Sequence, residues 1–172
     1  MTYDLDSRVL RAALIVLFLG ASASASAGSA KIAFVNPEQF TDIGRYADPR
    51  EAAANQSEIS RHLEQLAARR LPANQSLEIE VLDVSLAGRL EPWRTRLHDV
   101  RVMRAVTWPS IKLRYRLRQD GQSVASGVET VADMNYLDRP IRYPDGEPLR
   151  YEKRMLDQWF DQRLVEHRPP LQ

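Results

Sequence analysis

Four basic side chains occupy every second position of one short run: Lys112, Arg114, Arg116 and Arg118, separated by Leu113, Tyr115 and Leu117. Side chains alternate across a β-strand, so this spacing sends the four cations to one face and the apolar set to the other. Their Cα atoms repeat about every 6–7 Å along an extended chain. Such a row can meet successive anionic groups, and a guanidinium offers phosphate or carboxylate a planar fork that an ammonium does not. The chemistry on offer is recognition of an anion, such as a phosphorylated glycolipid or an acidic glycan. The same pattern also suits a solvated sheet face neutralised across strands, with Glu78, Glu80 and Glu129 as the available acids. Which strand lies beside the row decides between the two.

A second constellation falls in Asn135 to Arg154. It holds Tyr136, Arg139, Arg142, Tyr143, Arg150 and Tyr151, the residue types in which interfaces concentrate binding energy. Asp133, Asp138, Asp145, Glu147 and Glu152 balance those charges, so the stretch reads either as a recognition loop or as a long connection held by its own ion pairs. A hydrolytic or transfer enzyme would build its site here, near Asp133 and Tyr136. The three histidines, His62, His98 and His167, show no ligand spacing, so no metal is expected. No Gly-x-Ser-x-Gly, phosphate loop or dinucleotide fingerprint occurs, and no cofactor is expected. The chain has no Cys, which excludes disulfides, thiolate metal sites and a Cys nucleophile. The 172 residues carry a net charge of +1. A duplex nucleic-acid partner would usually show a larger basic excess, so none is expected.

The elements that position these residues follow from periodicity and punctuation. Lys31–Asn36 reads as a strand with apolar residues on both faces, as inside a sheet. Asp48-Pro49-Arg50-Glu51 is a helix start, with Asp48 as cap and Pro49 in the first turn. That helix runs to about Arg70 with Ala52, Ile59, Leu63, Leu66 and Ala67 on one stripe. Ser76–Leu86 is a strand whose apolar parity changes, and a β-bulge near Val81-Leu82 would return both sets to the core. A loop covers Ala87–Asp99, a further strand Val100–Val106, and Pro109 marks a bulge or an edge. Asp120-Gly121 suits a type I′ turn. With those two as the turn, Leu117 faces Val124, Tyr115 faces Ser126, Leu113 faces Val128 and Ile111 faces Thr130. Glu129, Gly127, Ala125 and Ser123 then lie opposite the basic row. Pro148 opens a last helix to about Val165, with Met155, Leu156, Trp159, Phe160 and Leu164 as its apolar stripe. The order β-α-β-β-β-β-α, its third and fourth strands being two strands or one bent one, predicts an α+β fold. It is a two-layer α/β sandwich with a mixed, mainly antiparallel sheet and two helices on one face.

The N-terminus has the layout of a secretory signal peptide. Arg8 and Arg11 precede an apolar run, Ala12–Gly20, and a segment of Ala-x-Ala sites through Ala27. The alternative is an uncleaved anchor, but the second half of the uncharged run is Ala, Ser and Gly, whereas a spanning helix needs about 20 predominantly apolar residues. Residues 1–27 are thus expected to be removed, and residues 28–172 to form one α/β domain.

Val35-Asn36-Pro37-Glu38, Asp83-Val84-Ser85-Leu86-Ala87-Gly88, Trp108-Pro109, Asp133-Met134-Asn135-Tyr136 and Leu149-Arg150-Tyr151-Glu152-Lys153-Arg154-Met155-Leu156 together resemble an exported bacterial family, domain of unknown function 3016. The resemblance implies export and a single domain, and it carries no activity. The expectation is a periplasmic or secreted, soluble, non-enzymatic binding or interaction module. Its partner would be a protein or an anionic envelope ligand, with no stable membrane insertion after cleavage. The alternatives are the enzyme near Asp133 and Tyr136 and an accessory subunit of an envelope complex.

Overall fold

The computed structural model describes residues 27–44, 48–91 and 101–167. The predicted signal-peptide segment before Ala27, the loop residues Pro92–Asp99 with His98, and the final Pro169-Pro170 lie outside the described residues. A four-stranded sheet has the order β1–β2–β5–β6, built from β1 (Ser29–Phe34), β2 (Gln75–Ser85), β5 (Ser110–Gln119) and β6 (Gln122–Ala132). β1 is parallel to β2, and the other neighbours are antiparallel. Helix α1 (Pro49–Arg70) is the crossover between β1 and β2, and α2 (Arg150–Phe160) follows the hairpin. A separate two-stranded ribbon joins β3 (Arg89–Leu90) to β4 (Arg101–Val102). This is the mixed sheet with two helices that the pattern predicts.

Local chemistry sets most boundaries. Asp48 caps α1 by accepting from the amides of Arg50 and Glu51, with Pro49 at the first position. The helix buries Ile59, His62, Leu63, Leu66 and Ala67. The bulge in β2 falls between Val81 and Asp83, as the parity change requires. It keeps Leu77, Ile79, Val81, Val84 and Leu86 in one core, with Leu113 and Leu117 of β5 and Leu156 and Phe160 of α2. Because both helices feed that one core, the opposite face of the sheet has no second layer over it among the described residues.

Several expectations are corrected. β1 is an edge strand running from Ser29, and its Ala33 and the following Val35 are exposed, so only Ala30, Ile32 and Phe34 pack inward. Val100 lies outside the described residues; of residues 101–106 only Arg101–Val102 forms a strand, and it pairs with β3 rather than joining the main sheet. Pro109 is neither at a bulge nor on an edge. It is buried just before β5, and its carbonyl accepts from the Asp133 amide. α2 begins at Arg150, after Leu149 adopts φ 54°, and continues as a π-helical turn, Asp161–Val165.

The hairpin register differs most. Asp120 and Gly121 take φ 51° and 80°, as a type I′ turn demands. Beyond Arg118–Ser123, however, a bulge at Val124 shifts the ladder by one residue. Tyr115 faces Gly127, Leu113 faces Glu129 and Ile111 faces Val131. The physical reason is packing under the sheet. A Cβ on Gly127 would stand 3.1 Å from the Tyr115 ring, so the small residue belongs opposite the large one. The shift also turns Glu129 inward to Arg163 (2.7 Å) and leaves Val124 and Val128 outside, 50% and 54% exposed.

Candidate functional site

The uncovered sheet face places the predicted cations side by side. Lys112, Arg114 and Arg116 are exposed and Arg118 is half-buried, all on one side of β5. β2 is the neighbouring strand, so Glu80 stands opposite Arg114 and Glu78 opposite Arg116. Arg114 hydrogen-bonds Glu80. A single carboxylate, Glu78, serves both Arg116 at 4.0 Å and Arg118 at 3.7 Å, and Lys31 of β1 is registered beside it. Asp83 is registered with Lys112, but its two oxygens accept from the Thr41 amide (2.7 Å) and hydroxyl (2.8 Å). The row is therefore flanked by acids and under-compensated by them. Opposite it on β6 stand Ser123, as predicted, and then Ser126, Val128 and Thr130 in place of Ala125, Gly127 and Glu129, with Glu129 on the other face. A depression of about 550 Å³ opens over Lys31, Glu78, Glu80, Arg114, Arg116, Ser126 and Val128.

The Tyr- and Arg-rich stretch turns largely into the fold. Tyr136 is fully buried, and its hydroxyl donates to the Arg104 carbonyl and accepts from the Arg104 amide, both at 2.9 Å. Tyr151 is buried against Tyr136, ring centroids 4.9 Å apart, with Arg150 over its ring. Arg150 also bonds Asp145. Arg139 bonds Gln158 at 2.8 Å. Tyr143 donates to Asp157 at 2.6 Å. Arg142 faces solvent. Asp133 is buried and held by Arg154 at 2.7 Å, while Arg154 also bonds the carbonyls of Tyr136 and Arg139. The Asp133 carboxylate thus serves the connection between β6 and α2, and the Tyr136 hydroxyl ties that connection to the segment before β5.

A cluster that no spacing announced lies between the helices. His62 of α1, 5% exposed, meets Asp157 of α2 at 2.9 Å, and Asp157 also takes the Tyr143 hydroxyl. Beside them Lys153, equally buried, bridges Glu58 of α1 and Glu147 of the preceding loop. Glu58, His62, Tyr143, Glu147 and Lys153 line a depression of about 170 Å³. The Arg61 hydrogen bond, with Lys153 behind it and burial opposing, holds the Glu58 carboxyl down to about 2. Burial raises the Asp157 carboxyl, but the bonds from His62 and Tyr143 outweigh it and the net shift is downward. Burial and the bond to Asp157 push the Tyr143 phenol up. Lys153 answers Glu58 and Glu147 in charge, His62 and Tyr143 hold Asp157 by hydrogen bonds, and the arrangement works as a clasp between α1, α2 and the loop. Burial likewise pushes up the Glu152 carboxyl, which accepts from the Ala87 amide at 2.6 Å. Among the described residues no group of three or more His, Asp or Glu has a metal-holding arrangement, and no helix is long and apolar enough to cross a membrane.

Residues 28–162 match the family described as protein of unknown function, DUF3016. No curated protein and no solved structure matches the chain.

Proposed function

Given that the chain belongs to the DUF3016 family, we propose that it is an exported, non-enzymatic binding module whose uncovered sheet face takes an anionic envelope ligand. The observation that carries this reading is the charge imbalance of that face. Lys31, Lys112, Arg114, Arg116 and Arg118 share it with Glu78, Glu80 and Asp83, and Asp83 is already occupied by Thr41. The two remaining carboxylates pair with exposed arginines, and such pairs are worth little in water. A ligand bearing several carboxylates or phosphates can replace them, offering each guanidinium a bidentate partner. The signal-peptide layout of residues 1–27 supports export.

Titration with an oligogalacturonate, a soluble acidic glycan, tests the reading. Wild type should bind, and binding should fade as salt shortens the reach of exposed charges. Arg114→Ala/Arg116→Ala should weaken binding roughly tenfold, about 1.4 kcal/mol. Glu78→Gln/Glu80→Gln should tighten it, because the internal competitors are removed. Equal, negligible binding by all three proteins would retire the proposal.

A further inference from the structure

At the mouth of the hairpin two turns are locked together. The first closes by the Thr107 amide on the Arg104 carbonyl, the second by the Asp138 amide on the Asn135 carbonyl. The Tyr136 hydroxyl joins them through the Arg104 main chain. Turn tips favour Gly, Asn, Asp and Ser, yet each of these presents an apolar residue at its third position. Val106 is 75% exposed and Leu137 43%. The Asp133 amide donates to the Pro109 carbonyl just beyond the last ladder pair, Ser110–Ala132, which brings the adjoining Trp108 and Met134 to the same end of the hairpin, and Met134 is 63% exposed. An apolar group this concentrated marks an interaction surface.

Its setting selects the occupant. Lys112 lies four residues beyond Trp108, about 13 Å along the extended strand, and its registered acid Asp83 is engaged by Thr41. Arg104 and Arg139 adjoin the turns in sequence, Arg104 paired with Glu91 and Arg139 with Asp133 at 3.7 Å. A bilayer interface has this layered order. Apolar side chains enter about 5–10 Å, to the boundary of headgroups and acyl chains, with Trp favoured there, and cations just above them meet lipid phosphates. We propose that this corner docks peripherally on the surface of an anionic bilayer, with Val106, Leu137, Met134 and Trp108 entering the interface and Lys112 meeting lipid phosphates. The inference rests on the anionic-ligand reading of the open face and names the lipid surface as the ligand's source.

The test is co-sedimentation of the protein with vesicles of phosphatidylethanolamine and phosphatidylglycerol, and with vesicles of phosphatidylcholine alone. Wild type should partition to the anionic vesicles and hardly to the neutral ones. Val106→Ser/Leu137→Ser should lower partitioning about tenfold or more, since apolar burial is removed, while its oligogalacturonate binding stays at the wild-type level. Both side chains are exposed, so its thermal midpoint should match wild type. Lys112→Glu, a second probe, should weaken partitioning at low salt. Equal partitioning of the turn variant and wild type overturns the docking, and so does equal partitioning to neutral and anionic vesicles. Wild type that binds oligogalacturonate but no vesicle overturns the docking and leaves the open-face reading standing. Wild type that binds neither overturns both.

Discussion

Trp159 shows how one side chain ties the two layers together. It lies mid-stripe on α2, 6% exposed, with its ring edge-on to Tyr115 of β5 (centroids 5.6 Å) and to Phe160 (6.3 Å). Tyr115 in turn stands over Gly127 of β6. Burial, with the Glu129 charge and hydrogen bond, pushes the Tyr115 phenol up to about 12, so it stays a neutral packing group through the physiological range. Trp159→Ala would remove the central plate of this stack. It should destabilise the protein by about 3–5 kcal/mol, the usual cost of truncating a core aromatic. Denaturant unfolding measures this, and a loss under about 1 kcal/mol, the range of surface substitutions, would contradict the packing described.

Between elements, the clasp of His62, Asp157, Tyr143, Lys153, Glu58 and Glu147 decides how α1 and α2 are held. The Glu58 carboxyl is held down to about 2 in the fold against an ordinary value of 4.5. A depressed carboxylate contributes stability that is present above its unfolded pKa and lost as pH falls through its folded one. The Glu58 contribution is therefore complete above about pH 5 and disappears between there and pH 2. Asp157, also shifted down, acts in the same direction. Thermal midpoints of wild type and Glu58→Gln should differ at neutral pH and converge as the acid limit is approached. A gap that persists unchanged in acid would show that Glu58 acts by packing and not by charge. The hairpin makes a related point about edges. β6 is a long edge strand, and such edges invite pairing with other chains. Its bulge at Val124 and its inward-facing Glu129 are both features that discourage such pairing.

For the whole molecule, the one-sided architecture of the described residues is what the proposed function rests on. Two helices and one core leave a charged sheet face open at one side and an apolar corner at the hairpin mouth. The described chain begins beside the Leu71 carbonyl, where the Gly28 amide donates at 3.2 Å. A Cβ on Gly28 would stand 2.5 Å from that of Leu71, so glycine is required for the close approach. Cleavage after Ala27 would place the new N-terminus at this residue. Intact-mass measurement of protein recovered from the exported fraction should show a chain starting near Gly28. Recovery of residues 1–172 intact from the membrane fraction would instead indicate a retained anchor.

What the sequence determined by itself was local. Asp48 and Pro49 fix the start of α1 because capping involves neighbours within three residues. Asp120-Gly121 fixes the turn because positive φ is a property of those two residues. The parity change at Val81–Asp83 announces its bulge because one strand must keep its apolar side chains on one face. The α2 stripe, Met155 to Leu164, announces its buried side for the same reason. Tertiary structure decided the rest. Periodicity shows that Lys112 to Arg118 share a face, but not that β2 lies beside them with Glu78 and Glu80, since strand neighbours are chosen by the packing of the whole sheet. The bulge at Val124 leaves no parity signal in a strand of Ser, Ala, Gly and Val, and it is set by the fit of Tyr115 over Gly127. The clasp could not be read at all, because His62 and Asp157 are 95 positions apart and meet only when both helices settle on the same core.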